Sequence, residues 1–195
     1  MLIQPVTLDG QFIRLEPLSL AHHAALCEVG LSDEIWRWMP QQVHSAEDMR
    51  AWIEDALKAQ GQGTALPLAT LEKSTGRAIG STRFGNIDGS NRRVEIGWTW
   101  LGVPWQRTAA NTEAKYLMLR HAFETLGCIR VEFKTDSLNE RSRAALLRIG
   151  AKEEGTFRNH VIVSTGRIRH SVYYSIIDAE WPAVKAHLEE KLARR

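Results

Sequence analysis

Cysteine is scarce: only Cys27 and Cys128 occur in 195 residues. Two cysteines give no disulfide framework. Cys128 stands in the apolar stretch LGCIRV, where it reads as a small packed hydrophobe. No apolar run approaches the ~20 residues that a membrane-spanning helix needs. Charge of one sign is scarce as well. The formal net charge is +2, too small to mark a nucleic-acid binder, and neither a nucleic acid nor a membrane is expected as partner. The opening MLIQPVTLDG lacks the basic region and long apolar core of a secretory signal, so a reduced, cytoplasmic setting is expected. No repeat, low-complexity stretch or Pro/Gly/Ser-rich linker divides the chain, and one domain over residues 1–195 is the simplest organisation. No His/Cys/Asp/Glu spacing resembles a metal site, and no serine lies in a nucleophile-elbow context.

What is present is an ordinary core-forming composition, 44% hydrophobic and 25% charged, with seven tryptophans. Trp36, Trp38, Trp98, Trp100 and Trp105 fall in two clusters. Two readings stand for them: packing in the core and its rim, or an aromatic wall beside a substrate or an oligomer contact.

The pattern predicts a first strand over 12–18 and a helix near 20–30, then a short helical turn over 33–39. A helix follows from Ser45, with Asp48 as acidic partner in its first turn, to about Ala59. Residues 65–71 and 78–84 read as a hairpin around KSTGR, and 92–101 as the next strand after the turn NIDGSN. The longest helix is expected over 111–126, with a wide apolar band suited to lying on a sheet. Residues 129–135, IRVEFKT, alternate cleanly. Ser137 and Glu140 suggest a capping box opening a helix to Ile149, which Gly150 stops. A closing hairpin, 152–163 with 167–177, and a last helix over 178–192 complete the chain. The order predicts a mixed, mainly antiparallel sheet with one strand–helix–strand crossover.

The join over 95–115, EIGWTWLGVPWQRTAANTEAK, is the most informative stretch. A helix start there presents unpaired backbone N–H groups and a partial positive charge, a seat for a phosphate or pyrophosphate. Asn111 or Thr112 can cap it, and Gln106, Arg107 and Thr108 can add donors. Asn139 and Ser142 open the next helix, so two helix starts flank one crevice at the strand ends.

At this point the chain resembles a family. The segments LDGQFIRLEPL (8–18), AIGSTRF (78–84), EIGWTWL (95–101), TEAKYLMLRHAFETLGCIRVEFKTDSLNERSRAALLRIGAKEEG (112–155) and HSVYYSII (170–177) together resemble a GNAT-superfamily acyltransferase of the RimJ/RimL-like branch, which includes ribosomal-protein N-terminal acetyltransferases. The resemblance implies an α+β GNAT fold: a mainly antiparallel sheet, flanked by helices, with a V-shaped splay between two parallel neighbouring strands. It implies acetyl-CoA as cofactor. The family's Q/R-x-x-G-x-G/A pyrophosphate loop is matched by Gln106, Arg107, Thr108, Ala109, Ala110 and Asn111, with Ala109 and Asn111 in place of the two small residues; Thr112 follows. By the same resemblance the backbone near Leu101 and Val103, together with Asn139, holds the pantetheine arm.

The implied reaction is direct attack of an amine on an acyl thioester. It needs a neutral amine, a donor to the oxyanion near Trp100 or Leu101, and an acid for the departing thiolate. Leu146 stands where many relatives place a tyrosine acid. Ser142, matching a serine of the RimL-like branch, is the expected proton donor to sulfur, and Glu95 the candidate base through water. Trp36, Arg83 and Tyr173 are candidates for the acceptor pocket, and His160 and His170 can line the same cleft. The expected activity is transfer of an acetyl group to an amine, a protein N-terminus or a small molecule, in a homodimer or higher homo-oligomer. A non-catalytic CoA-binding or regulatory module is the alternative, and a structural oligomer built on the tryptophans a third.

Overall fold

The computed structural model describes residues 4–194. Eight strands form one sheet: β1 (Leu8–Asp9), β2 (Ile13–Pro17), β3 (Leu66–Glu72), β4 (Ala78–Asp88), β5 (Arg93–Leu101), β6 (Arg130–Asp136), β7 (Lys152–Ile162) and β8 (Ile168–Ile177), in the order β1-β2-β3-β4-β5-β6-β8-β7. Among the described residues six α-helices cover it: α1 (His23–Gly30), α2 (Asp33–Trp36), α3 (Ala46–Gly61), α4 (Ala109–Arg120), α5 (Glu140–Arg148) and α6 (Trp181–Ala193). Every neighbouring pair is antiparallel except β5–β6, which α4 joins as a parallel crossover. No helix among the described residues is long and apolar enough to cross a membrane.

Each face of the sheet buries its own apolar set. α4 and α6 close one face over Ile13, Leu68, Phe84, Val94, Ile96, Val131, Phe133 and Tyr174. On the other, α1 and α3 enclose Leu26, Met49, Ile53 and a tryptophan triad. Trp36, Trp52 and Trp100 meet with ring centroids 5.4–6.0 Å apart, within the range of favourable edge and tilted contacts. For these three rings, core packing is the reading that applies. Cys128 is buried, and burial pushes its thiol up to about 11, so it packs and is unreactive at neutral pH.

Two helix starts differ from the sequence expectation. Thr108, not Asn111 or Thr112, caps α4: its backbone is extended and its hydroxyl accepts from the Ala110 N–H at 3.2 Å. The helix therefore begins at Ala109, two residues before the expected start, since Ala109 and Ala110 are the strongest helix formers available. Asn139, not Ser137, caps α5 through its Oδ1, 3.1 Å from the Ser142 N–H. Asp136 delays that start by accepting from the Leu138 and Asn139 N–H groups, which holds residues 136–139 in a turn.

Candidate functional site

The parallel pair β5–β6 is joined only at Arg93–Arg130, Val94–Val131 and Glu95–Glu132. Beyond Glu95, β5 runs on to Leu101 beside β4 while β6 runs on to Asp136 beside β8. The two strands part in a V, and the parted stretch of β5 keeps backbone groups without a strand partner on that side. The Gly102 N–H turns toward the Ile79 carbonyl on β4 at 2.8 Å. Strand alternation then turns the N–H and C=O of Leu101, not those of Trp100, toward the gap. The Gln106 amide donates to that Leu101 carbonyl at 3.1 Å.

Above the gap lie both helix starts. Val103, Pro104 and Trp105 form a 3-10 turn, and Arg107 takes a left-handed conformation at φ 63° before Thr108 begins α4. Ala109 lies inside the helix, so the positive φ that the tight loop requires falls on Arg107. Thr108 satisfies one N–H of the first turn and leaves the others of that turn without an intrahelical acceptor, as at any helix start. Asn111 is half-buried; Ala110 and Thr112 are buried. Val103 is exposed at the mouth. Facing them, Asn139 spends its Oδ1 on the cap and keeps its Nδ2 as a donor. Ser142, half-buried in the same turn, has no hydrogen bond to its hydroxyl among the described residues. Arg141 ties the two sides together, donating to the Gln106 Oε1 and to Glu34 of α2, both at 2.7 Å.

On the sheet face opposite α4 the strands gather a second set. Ser81 pairs with Trp100 and Arg83 with Gly97, so β5 carries one extra residue here, and Trp98 sits in it at φ 50°. A bulky residue in that conformation is uncommon and strained. Half-buried Trp98 lies beside Arg83, 5.1 Å from its centroid, and Lys134, 5.9 Å from it. Glu95 is buried; Asn86 donates to it at 2.6 Å and Lys134 pairs with it at 3.2 Å. Tyr173 is half-buried, its ring tilted at 39° against Phe157 with centroids 4.6 Å apart, and near His160 at 5.7 Å. Burial and then Lys134 hold His160 below the ordinary imidazole range, so it is neutral at pH 7.

The sequence-predicted residues therefore divide. Leu101, Gln106, Arg107, Thr108, Asn139 and Ser142 come together around the gap. Glu95, Arg83 and Tyr173 share the opposite face with His160. Trp36 does not belong there: it is fully buried, its indole N–H given to the Gly30 carbonyl at 2.6 Å, because the triad needs its ring. Leu146 packs into the core and offers no acid. His170 is exposed and accepts from the Asn159 N–H at 2.8 Å. Lys134 escaped the sequence reading; Trp98, offered there as core packing or as an aromatic wall, lies half-buried on the same face as Trp100.

A family model of the acetyltransferase (GNAT) domain matches residues 13–152. A Bacillus subtilis protein provisionally named as a ribosomal N-acetyltransferase, YdaF, is 36% identical over 110 residues, which are 56% of this chain and 59% of that relative. A GCN5-related N-acetyltransferase from Brucella melitensis, solved as a crystal structure, is 30% identical with a TM-score of 0.91, over 97% of this chain and 86% of that one. Mycobacterium smegmatis RimJ in complex with CoA-disulfide shares the fold at a TM-score of 0.79 and 24% identity, over 93% of this chain and 90% of that one.

Proposed function

The chain belongs to the GNAT acetyltransferase family, and from that premise we propose that it transfers the acetyl group of acetyl-CoA to an amine, a protein N-terminus or a small-molecule amine, by direct attack. The observation that carries this reading is the parting of β5 from β6 beneath two helix starts. The parted backbone suits an amide-bearing arm, and the α4 start suits a diphosphate. That a RimJ neighbour of the same fold is named in complex with CoA-disulfide supports a CoA-type cofactor.

Bound there, acetyl-CoA supplies an acyl thioester open to a neutral amine. The Leu101 N–H can donate to the oxyanion as charge develops. Asn139 holds the arm through its Nδ2. Ser142 gives a proton to the departing sulfur, directly or through water, and regains one from solvent. Glu95 takes the proton released by the amine through water, with neutral His160 able to pass it outward.

Thiol release from acetyl-CoA across an amine panel, with calorimetric titration of CoA and dephospho-CoA, tests the assignment. Binding with turnover supports it. Binding without turnover on every amine favours the non-catalytic module, for which Leu146 in place of a tyrosine speaks. No binding of either nucleotide overturns both.

Three variants separate the roles at the α5 start. Asn139→Asp keeps the cap and loses the amide donor. It should leave the melting temperature nearly unchanged while raising the KM for acetyl-CoA about ten-fold, one hydrogen bond's worth. Asn139→Ala should lose the cap as well, about 1 kcal/mol. Equal KM in all three proteins would remove Asn139 from the cofactor site. Ser142→Ala should lower kcat by about 10–100-fold with little change in KM; unchanged kcat would strip Ser142 of its acid role.

A further inference from the structure

Arg83 is a buried cation without a counter-ion. It lies on β4 opposite Gly97 and is 5% exposed. Its guanidinium sits between two indole faces, 4.8 Å from the Trp52 centroid and 5.1 Å from that of Trp98. Its Nε is buried with no hydrogen-bond partner, and no carboxylate among the described residues lies within ion-pair distance. The indole faces attract the charge but accept none of the five N–H donors that the fork presents. Burial, opposed by the charge of Asp55, lowers its pKa only to about 10, so the charge is kept at pH 7. An unpaired charge at such depth is costly. It is tolerable where something outside the chain completes it.

The position says what that something is. Arg83 shares the sheet face of Trp98, Glu95, Lys134 and Tyr173, and Trp98 is turned onto this face by the strained extra residue in β5. Glu95 lies two residues along β5 from Gly97, the partner of Arg83, a strand distance of ~7 Å. Asp55 of α3 also acts on Arg83 electrostatically. Lys134 already pairs with Glu95 at 3.2 Å, so Arg83 and Lys134 together balance the charges of Glu95 and Asp55. A site so balanced favours a singly charged anion over a phosphate dianion, and the flat fork matches a carboxylate edge to edge.

We propose that Arg83 is a carboxylate-binding, specificity-determining residue of the acceptor pocket, and that the acceptor carries a carboxylate on the same molecule as its amine. The inference rests on the acetyltransferase reading above. The two indoles hold the guanidinium in place, and the amine end lies toward Glu95. The carboxylate comes from the acceptor's own terminus, as in an amino acid or short peptide, or from an acidic side chain near a protein N-terminus.

Matched acceptors distinguish these. Glycylglycine against glycylglycinamide presents a terminal carboxylate; Ala-Glu-amide against Ala-Gln-amide presents a side-chain one. Each pair is measured for kcat/KM with acetyl-CoA and, without acetyl-CoA, by tryptophan fluorescence titration, since Trp52 and Trp98 report directly. In the native protein, the carboxylate member of at least one pair should win by about ten-fold or more in both readouts. The pair that shows it names the source. In Arg83→Gln that ratio should fall to within about two-fold, and Arg83→Lys should restore it in part, keeping charge but not the fork. Circular dichroism confirms that the variants fold. Equal kcat/KM and equal fluorescence response for both members of both pairs in the native protein overturns the proposal, whatever the variants do; so does a preference that survives in folded Arg83→Gln. Should no amine be acetylated, the transferase assignment is what fails, and the titrations alone decide the carboxylate site.

Discussion

Lys115→Met is expected to stabilise the protein by several kcal/mol at pH 7 and to flatten its stability profile between pH 7 and 9. Lys115 lies on the second turn of α4, buried, with its ammonium nitrogen 2.7 Å from the Thr99 hydroxyl and no carboxylate beside it. Burial lowers its pKa from 10.5 to about 7. The sign follows from where the proton sits. Between about pH 7 and 10.5 the unfolded chain keeps the lysine proton and the native chain does not, so stability rises with pH across that window. At about 1.4 kcal/mol per unit, the lysine costs about 5 kcal/mol well below pH 7, about 4 kcal/mol at pH 7 and about 2 kcal/mol at pH 9. Thr99 also bonds Thr82 at 2.8 Å, so methionine leaves no orphaned hydroxyl. Denaturant unfolding at pH 7, 8 and 9 checks this: the native protein should gain about 2 kcal/mol over the range and the variant almost nothing. A flat native profile would mean that Lys115 holds its proton in the fold.

Glu113→Ala should act in the opposite direction. The buried Glu113 carboxylate of α4 accepts three successive backbone N–H groups, from Gln11 at 2.6 Å and from Phe12 and Ile13 at 2.8 Å. This clamp fastens the β1–β2 turn to the helix whose start is the proposed cofactor seat. Gly10 must be glycine there, because a Cβ would fall 2.5 Å from the Glu113 carboxyl carbon. Alanine at 113 leaves the Ile13 N–H buried and unpaired and the other two half-served by water. With about 1–3 kcal/mol for each unsatisfied group, the loss should be about 3–5 kcal/mol, or about 10 °C in melting temperature for a chain of this size. Thermal unfolding decides it, and a loss under about 1 kcal/mol would show that water replaces the clamp.

Residues 113 and 115 also mark what the sequence conceals. The strands were legible because β6 alternates and the β3–β4 turn carries its own residues, and the crossover helix because its apolar band is wide. A glutamate and a lysine inside that helix read as solvent-facing. Only tertiary packing shows that α4 is enclosed on both flanks, with β1–β2 on one side and β5 on the other. The starts of α4 and α5 were misplaced because several Ser, Thr and Asn residues stand near each one, and backbone geometry selects which of them caps. Of the candidate site, the loop over 106–112 and the pair Asn139 and Ser142 were legible as helix starts. Trp36 was misassigned because one fully buried ring and one cleft-facing ring look alike in a list of tryptophans. The proposed acceptor face depends on the extra residue at Trp98, which no periodicity foretells.

The divergence of β5 and β6 gives this sheet four margins where an unbroken one has two. The outer two belong to β1 and β7, as in any open sheet. The inner two face each other across a wedge whose point is closed at Glu95 and Glu132 and whose wide end is roofed by the loop before α4. Exposed margins invite stray strands to add on. A wedge admits only something slender, entered from the wide end and long enough to touch one side before its width exceeds the gap. The same departure from regular pairing thus screens entrants by thickness and leaves main-chain amides, rather than side chains, to greet what fits.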